Sequence, residues 1–320
     1  PGWYAAGLPE AEQSEPYIHH FPDGNSTIAR KLVCRLIPDL VSDNSLENLI
    51  TAKLDYGLLD DPRNDVSVRL NSTVINVQNN KSAGGTVTVS YVRDNQLEKV
   101  SASKCILACN SNVIPFICPE LPDKQKEALA FQVKVPILYT NVAVKSWEAW
   151  KNLGIGAMVC PGSYHIVSML DFPVTYGNYE FSRNEREPIV IHMERFPHSY
   201  GSNLSAREQY KLGRYELLTT PFETIERNVR EQLESSLSEG GFNAAKDILG
   251  ITVNRWSHGY SYWYNPLFDP IYDDYNDSRY PHIIGRKKYG NITIANADSA
   301  ANAMLESAIE EAYRAVSELI

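Results

Sequence analysis

Hydrophobic and polar positions repeat with two different periods along this chain. Apolar side chains recur at helical spacing over residues 26–37, where Pro38 would end a helix, and over residues 221–237, where Gly240 and Gly241 follow. Alternation of apolar and polar positions instead predicts strands over residues 66–77, 86–92, 133–144 and 248–255. The two periods together predict a mixed α/β or α+β protein.

The end of the chain combines both periods and places an acid between them. Residues 292–295 form a short apolar run that predicts a buried strand, and residues 299–319 have the spacing of an alanine-rich helix. Asp298 would then lie at a helix N-terminus, where free N–H groups and a partial positive charge favour a bound cofactor. Small neighbouring side chains would let a flat ring approach the backbone. An ordinary β-α unit packed on a sheet explains the same pattern.

The chain length and the net charge limit the kinds of domain and partner that the sequence allows. The 320 residues suffice for one large or two medium domains, and the net charge is −9 with a pI near 5.4. An acidic surface repels nucleic acid, so nucleic acid is not an expected partner. Such a surface assists a cationic substrate, although it also simply keeps a protein soluble. No apolar run approaches the ~18 residues of a membrane span, so none is expected.

Cysteine spacing and sequons bear on metal binding and on the compartment. The five cysteines form no CxxC pair and no zinc spacing, so we expect buried thiols and no metal site. Six Asn-x-Ser/Thr sequons favour a glycosylated protein of secreted or periplasmic origin over a cytoplasmic one. They begin at Asn25, Asn71, Asn80, Asn203, Asn276 and Asn291.

Several segments, taken together, resemble the flavin amine oxidase superfamily. Residues 292–298 with residues 306–315 resemble its C-terminal FAD motif, and residues 21–25 resemble its glycine turn facing the flavin. Residues 66–77 are similar to the strand that approaches the adenosine part of FAD. Residues 104–109 are similar to the strand that returns to the cofactor domain. The resemblance implies that FAD is the cofactor.

Within this superfamily, the bacterial spermidine dehydrogenases are the most similar group. The matching segments keep the family's order and span nearly the whole chain: residues 20–25, 114–122, 133–136, 220–224 and 254–260. The resemblance implies an α/β (α+β) fold with an incomplete Rossmann-like FAD-binding domain and a substrate domain of mixed sheet and helices. It assigns residues 1–65 to the substrate domain and flavin-facing turn, 66–115 to the FAD-binding domain, 116–284 to the substrate domain and 285–320 to the C-terminal FAD motif.

One hallmark of these proteins is missing from the sequence. They begin with a βαβ unit whose GxGxxG loop cradles the pyrophosphate of FAD, and this chain has no such motif. The resemblance therefore implies an N-terminal Rossmann-containing chain or segment of the same precursor, separated by proteolytic processing or by a split gene. Because a partial parallel sheet exposes an edge, we expect a tight heterodimer.

The same resemblance implies roles for individual residues. Lys134 would hold a water near flavin N5, and His258 would bind the substrate or accept a proton. The cofactor contacts would be Asp23, Gly24, Asn25, Val74, Asp298 (a ribityl ligand), Ser299, Ala303 and Met304. The substrate contacts would be His20, Phe21, Trp256, Tyr260 and Tyr262. Plainer explanations are a surface lysine at Lys134, a structural histidine at His258 and aromatic packing for the rest.

The implied function is oxidation of a small amine by an FAD-dependent dehydrogenase or oxidase that needs its N-terminal partner. Hydride would pass from a carbon bonded to nitrogen to flavin N5, with a polyamine similar to spermidine as substrate. Two departures from the family favour a non-catalytic binding, storage or structural subunit instead: Met304 replaces an aromatic residue and Ala300 replaces a glycine. An amino-acid oxidase is a third possibility, which would require Arg195 or Arg255 to bind a substrate carboxylate.

Overall fold

The computed structural model describes residues 21–80, 85–171, 174–177, 179–199 and 202–320. The chain divides into two compact units. The first unit is drawn from residues 1–70 and 172–184, and the second from residues 71–171 and 185–320. The expected four-part division into cofactor and substrate regions remains a prediction.

Helices and strands are numbered in chain order. The α-helices of the described residues are α1 (Ser26–Leu36), α2 (Leu46–Leu49), α3 (Ile114–Ile117), α4 (Asp123–Phe131), α5 (Glu148–Leu153), α6 (Ala206–Thr219), α7 (Phe222–Leu237), α8 (Ala244–Asp247), α9 (Pro281–Gly285) and α10 (Leu305–Ser317). The strands are β1 (Thr73–Asn80), β2 (Thr86–Arg93), β3 (Gln96–Ala102), β4 (Cys105–Leu107), β5 (Val135–Val144), β6 (Ala157–Val159), β7 (Val167–Leu170), β8 (Ile189–Arg195), β9 (Ile248–Tyr260) and β10 (Ile292–Ile294).

The first unit contains α1, α2 and short turns around one apolar cluster. The buried members of that cluster are Cys34, Ile37, Leu40, Leu49 and Leu59. The helix predicted over residues 26–37 is confirmed. It is α1, which ends at Leu36, one residue before the predicted end. The strand predicted from residue 66 is wrong over its first half, because β1 begins only at Thr73. Val66 and Leu70 are exposed, and only Val68 of this alternation packs on the apolar cluster, where its N–H donates to the Leu59 carbonyl instead of to a neighbouring strand.

An antiparallel three-stranded sheet, with strand order β1-β2-β3, begins the second unit. Its β2–β3 hairpin turns at Asp94 and Asn95, which both adopt positive φ angles of 49° and 60°. Two such residues in succession match the twist of a tight hairpin, and Asp and Asn tolerate this conformation better than most side chains. Val77 and Val87 are fully buried on the face that packs onto the following elements.

Two short parallel strands, β4 and β10, pair with each other although they are far apart in the sequence. Their register places Cys105 opposite Ile292 and Leu107 opposite Ile294. Parallel strands require a long crossover connection, and here the whole five-stranded sheet and helices α3–α9 lie in between. The carboxyl ends of both strands therefore point to the same edge.

The largest sheet is antiparallel, with strand order β6-β7-β8-β5-β9. Along β5 the even-numbered side chains from Pro136 to Val144 are buried, whereas Tyr139, Asn141 and Ala143 on the other face are half-buried. Helix α6 contacts β5 and β9. The sequence pattern did not predict α6, although Ser205 and Glu208 form a capping box at its start.

The C-terminal helix differs from the prediction. Residues Ala297–Ala300 form a 3₁₀ turn, and Ala301 follows with a left-handed φ of 48°. The α-helix then begins at Leu305 rather than at residue 299. Ala301 is only 1% exposed, so local packing holds this unfavourable backbone conformation and breaks the helix that the alanine-rich sequence favours.

Candidate functional site

The carboxyl ends of β4 and β10 bring together two polar loops. Beyond β10, the Asn296 side chain accepts a hydrogen bond from the Ser299 N–H at 2.8 Å and donates to the Cys109 carbonyl. The Ser111 N–H donates to Asp298 Oδ2 at 3.0 Å. Asp298 is thus held at the end of one parallel strand by the loop that follows the other. Ligands bind to α/β sheets at such positions.

Lys134 meets Asp298 at this edge. Lys134 Nζ lies 2.7 Å from Asp298 Oδ1, and the two residues are 8% and 1% exposed. Lys134 immediately precedes β5, and its Nζ also donates to Ser261 Oγ at 3.4 Å just beyond β9. Two charges buried this deeply are costly unless they are paired. The site therefore joins the end of the parallel pair to the end of the large antiparallel sheet.

Several polar atoms at this edge could accept or donate further hydrogen bonds. Asp298 Oδ1 forms the ion pair with Lys134, but its geometry is not that of a hydrogen bond, and the atom is buried without a hydrogen-bond partner. Three further buried oxygens lack a hydrogen-bond partner among the described residues: Ser111 Oγ, Asn112 Oδ1 and Asn302 Oδ1. Buried polar atoms normally have partners, so this cluster fits a hydroxylated ligand such as the ribityl chain of FAD.

The helix dipole that the sequence predicted at Asp298 is absent. Asp298 and Ser299 lie in the 3₁₀ turn, and the N-terminus of α10 begins six residues after Ser299. Ser299 is 2% exposed, whereas Ala303 and Met304 are half-buried between the turn and α10. Asp298 is therefore oriented by Ser111 and Lys134 rather than by an α-helix terminus.

A buried charge network holds the Asp298 turn and was not predicted from the sequence. The Arg286 guanidinium donates to the Ser299 carbonyl at 3.1 Å and pairs with Glu311 of α10. Glu311 also pairs with Arg314, whose guanidinium donates to the Ile294 carbonyl. Only the spacing Glu311–Arg314, one turn apart on a helix, was a sequence signal for part of this network.

The predicted aromatic residues on and after β9 separate into two groups. Trp256 is 55% and Tyr260 41% exposed, and the Tyr260 hydroxyl lies 2.5 Å from that of Tyr139. Tyr262, in contrast, is buried in an aromatic cluster, where its hydroxyl donates to Asp269. Its ring meets Phe131 edge to face at 5.8 Å. The structure places Tyr262 in packing, so its expected substrate contact finds no support.

His258 is exposed beside the Lys134 site. Its Nδ1 lies 2.9 Å from Ser257 Oγ. Desolvation, followed by the positive charges of Arg214 and Lys134, lowers the pKa of His258 below its ordinary value of 6.5. The ring is therefore neutral at pH 7, with Nε2 available as a proton acceptor when Nδ1 carries the ring proton and donates to the serine hydroxyl.

The remaining predicted cofactor and substrate residues lie in the first unit or on β1. Gly24 has a positive φ of 67° in the turn before α1, which explains a glycine there, and its N–H donates to the Phe21 carbonyl at 2.9 Å. Asp23 accepts a hydrogen bond from Thr27, and Asn25 occupies the N-cap position of α1. His20 lies outside the described residues. Phe21, Asp23, Gly24 and Asn25 belong to a different unit from Lys134 and Asp298.

Val74 of β1 lines an apolar cavity of about 450 Å³ in the second unit. Its other walls are Val77, Val89, residues 105–109, Val113 and Ile117. Burial raises the pKa values of the Cys105 and Cys109 thiols, which keeps both thiols protonated. The cavity is a hydrophobic surface beside β4 rather than a site with polar ligands.

The two arginines that an amino-acid oxidase would need are already engaged. Arg195 pairs with Glu216 at 2.6 Å and lies over the Tyr164 ring at 4.3 Å. Arg255 donates to the Leu217 carbonyl at 3.2 Å. Neither arginine is poised to bind a substrate carboxylate, so the structure gives this alternative no support.

Two further kinds of feature, a metal centre and a membrane-spanning helix, bear on what the described residues can do. In the part of the chain that the structure describes, no group of three or more His, Cys, Asp or Glu side chains could hold a metal ion. Among those same residues, no helix has both the length and the apolar character to cross a membrane.

Comparisons with known proteins identify the fold. No protein-family model matches the chain, and no curated protein sequence does. Cyclohexylamine oxidase from Brevibacterium oxydans IH-35A matches with a TM-score of 0.51 and 11% identity, over 77% of this chain and 47% of that one. A single-substitution variant of putrescine oxidase, from a redesign of cofactor binding, matches with a TM-score of 0.51 and 14% identity, over 78% and 48%.

These similarities define the class of fold. The structural neighbours are FAD-dependent amine oxidases, and the predicted mixed helix and sheet fold is confirmed at that level. The chain spans about half the length of the solved structures it matches. Similarity to the spermidine dehydrogenases and the Rossmann detail remain predictions.

Proposed function

We propose that this chain is the C-terminal part of an FAD-dependent amine oxidoreductase, of the spermidine dehydrogenase type, that acts on polyamines. The observation that carries the proposal is the buried Lys134–Asp298 pair at the carboxyl ends of β4 and β10. The fold around this pair is shared with amine oxidases. The acidic net charge of −9 suits a cationic substrate.

The residues at the strand ends fit FAD, which when bound would supply the acceptor for the hydride, and thus for the two electrons, of the amine. Asp298 Oδ1 and Ser111 Oγ would hydrogen-bond its hydroxyl groups, since both atoms are buried without hydrogen-bond partners. An ammonium group has three N–H bonds, and Lys134 directs Nζ toward two groups, Asp298 and Ser261. A further N–H bond of Lys134 would hold a water.

His258 prepares the substrate. An amine must lose its proton before the neighbouring C–H bond can give up hydride. The lowered pKa of His258, caused first by desolvation, keeps its ring neutral at pH 7. Nε2 would accept the ammonium proton in the site, and the exposed aromatic face of Trp256 would hold the cation beforehand.

A partner that supplies the pyrophosphate site is part of this proposal. The described part of the chain pairs β4 with β10 alone, whereas parallel sheets are normally covered and larger. Ile106 of β4 is 39% exposed beside the apolar cavity. A further parallel strand and its helix, carried on an N-terminal chain or segment, would cover both features and bring the glycine-rich loop.

Native mass spectrometry with a visible absorbance spectrum tests the proposal. The expected result is a complex of this chain with an N-terminal chain and one FAD, together with flavin absorbance. A 36.0 kDa species without a chromophore, isolated from cells that express the complete gene or genes, would contradict it.

A non-catalytic binding, storage or structural subunit is the second candidate. The specific observation in its favour lies in the turn that holds Asp298, where Ala300 stands at a position at which the family pattern favours a glycine. Met304 also lies where the family pattern favours an aromatic residue. A flavin-containing complex that no amine reduces would favour this candidate over the enzyme.

A further inference from the structure

Strand β9 bulges where it passes the start of β5. The ladder shifts register between Val135 and Ile137 of β5, so that residues 257–259 of β9 lie opposite Pro136 alone. Proline has no N–H to donate to a ladder, and within an inner strand such as β5 it is found at bulges. Bulges are frequent beside active sites, where they change the direction of a side chain. The middle residue of this bulge is His258, the proposed proton acceptor.

The backbone of the bulge lies very close to β5 at Gly259. A Cβ at this position would lie 2.6 Å from Ile137 Cδ1 and 3.0 Å from the Val135 carbonyl oxygen. A larger residue would therefore push the bulge away from β5, whereas glycine lets the two backbones approach each other. Gly259 thus holds one end of the bulge against β5, directly after His258.

Arg214 of α6 holds the other end of the bulge. Its Nε donates to the Ser257 carbonyl at 2.9 Å, and its Nη2 donates to the Lys134 carbonyl at 2.9 Å. One guanidinium thus joins the residue before His258 to Lys134 itself. Helix α6 comes close enough for these contacts because the residue before Arg214 is Gly213, which has no Cβ to separate the helix from the sheet.

Arg214 binds the backbone rather than an acid. It is half-buried, and no carboxylate in the described part of the chain forms an ion pair with it. A guanidinium presents its N–H groups in a rigid plane, so bonds to two segments fix the distance and the angle between those segments. A bulge disrupts the ladder locally, and an arginine that binds two carbonyls at its rim replaces hydrogen bonds that the ladder loses there.

We propose that Arg214 is a positioning residue, which binds the β9 bulge and the Lys134 backbone together and so keeps the His258 ring close to the Lys134 ammonium. The inference rests on the proposed function, in which His258 accepts the proton of the amine and Lys134 holds a water. Both bonds of Arg214 go to the backbone, so it acts through these two residues rather than on the substrate. Its replacement should change the rate of the reaction more than the affinity for the amine.

The pKa of His258 reports where the bulge lies. Desolvation is the largest cause of the lowered pKa of this ring. The positive charges of Arg214 on α6 and Lys134 before β5 lower it further, and Asp298 beyond β10 raises it. Replacing Arg214 by lysine keeps the positive charge but removes the planar pair of donors. A raised pKa of His258 in that variant therefore reports a displaced bulge rather than a lost charge.

Anaerobic stopped-flow reduction of the flavin by spermidine tests this role on the protein with its co-purifying partner. The matched control is Arg255→Lys, since Arg255 also joins β9 to α6, by a bond to the Leu217 carbonyl outside the bulge. Arg214→Lys should lower the limiting rate of reduction by about tenfold or more and change the half-saturating spermidine concentration by less than about threefold. The control should match the wild type. Equal rates in all three proteins, an equal loss in both variants, or an effect on the half-saturating concentration alone would overturn the proposal.

Titration of His258 separates this inference from the proposed oxidation, because it requires neither flavin nor turnover. The ring signals of ¹⁵N-histidine-labelled protein are followed by NMR from about pH 5 to about pH 8. The pKa of His258 should lie below 6.5 in the wild type and in Arg255→Lys, and closer to 6.5 in Arg214→Lys. An unchanged pKa in Arg214→Lys would rule out the positioning role. A raised pKa in a protein whose flavin no amine reduces would contradict only the oxidation.

A third measurement needs no variant that must fold. In ¹⁵N-arginine-labelled wild type, the Arg214 Nε–H should exchange with solvent at least about tenfold more slowly than that of Arg227, an exposed residue of α7, because the Ser257 carbonyl accepts its hydrogen bond. Equal exchange rates at the two arginines would show that Arg214 does not hold the bulge.

Discussion

At the residue scale, the account depends on the buried pair of Lys134 and Asp298. Beyond their ion pair, Lys134 Nζ donates a hydrogen bond to Ser261 Oγ, and Asp298 Oδ2 accepts one from the Ser111 N–H. Removing one partner of a buried pair leaves an uncompensated charge, whereas removing both can be nearly neutral. The pair therefore behaves as a unit in stability as well as in the proposed chemistry.

Asp298→Asn should show this coupling. We expect it to lower the free energy of unfolding by ~3–5 kcal/mol, because Lys134 keeps a buried charge without a counterion. Lys134→Met combined with Asp298→Asn should cost less than the sum of the single changes. A double-mutant cycle from urea unfolding measures the coupling. The exposed Lys126–Asp123 pair, at 2.8 Å, is the matched control and should show little coupling energy. Equal coupling energies in the two cycles would contradict the importance of the buried pair.

Two buried histidines should make stability fall in acid. Burial lowers the pKa of His165 to about 3 and that of His282 to about 4, from ordinary values of 6.5. The unfolded state therefore binds more protons than the folded state below pH 6.5, and stability decreases as the pH drops toward 4. Each ring should contribute on the order of 1.4 kcal/mol per pH unit. Urea midpoints between pH 7 and pH 4 measure this slope; His282→Gln should flatten it, and an unchanged slope would refute the assignment.

At the element scale, local periodicity predicted some elements and failed at others for identifiable reasons. The helices predicted over residues 26–37 and 221–237 exist because their apolar spacing meets a core. Over residues 66–72 only Val68 packs on the apolar cluster, and its N–H donates to the Leu59 carbonyl, so no strand forms there. The predicted C-terminal helix was wrong before Leu305, because tertiary packing at Ala301 outweighs the propensity of alanine for helix.

A site residue could be predicted from the sequence only where a single segment contains the pattern that identifies it. Lys134 and Asp298 were both selected from the sequence, yet their contact joins positions just before β5 and after β10 that no local pattern connects. Ser111, Ser261 and Arg286 were missed because serines and arginines are common and their roles depend on long-range packing.

The docking of α6 on the large sheet gives a sharp test of packing. A Cβ at Gly213 would lie 2.5 Å from the Pro197 carbonyl oxygen and 3.0 Å from Pro136 Cγ. Gly213→Ala should therefore destabilise the protein by ~1–3 kcal/mol, although alanine favours helix over glycine. Gly156→Ala is the control, since nothing lies within 4 Å of its Cβ. If Gly213→Ala raised the urea midpoint, the packing described for α6 would be incorrect.

At the scale of the whole molecule, exposed strand and helix surfaces bear on the proposed partner. The chain spans about half the length of the structures it matches, and its parallel strands number two in the described residues. Exposed apolar side chains also follow one stripe of α10, at Ile309, Tyr313 and Val316. Exposed apolar surface of this extent usually marks an interaction site. The partner proposed for FAD binding would cover such surface.

Ile106→Lys should separate partner binding from folding. A charge at this half-exposed position of β4 should prevent a parallel strand from joining the edge, because edge lysines oppose strand pairing. Size-exclusion chromatography with light scattering should show loss of the complex, with the circular dichroism of this chain unchanged. Val100→Lys on β3, also half-exposed, should keep the complex. Loss of the complex in both variants, or in neither, would argue against docking at β4.

The most direct test of amine oxidation is the visible absorbance of the purified complex during anaerobic addition of spermidine. The account predicts flavin bands that bleach with spermidine and do not bleach with sodium chloride at the same ionic strength. In a flavin-containing Lys134→Met variant, the bleaching should be at least tenfold slower. A complex without flavin bands would contradict the FAD site, and flavin bands that no amine bleaches would contradict the enzyme and leave a non-catalytic flavin-binding subunit.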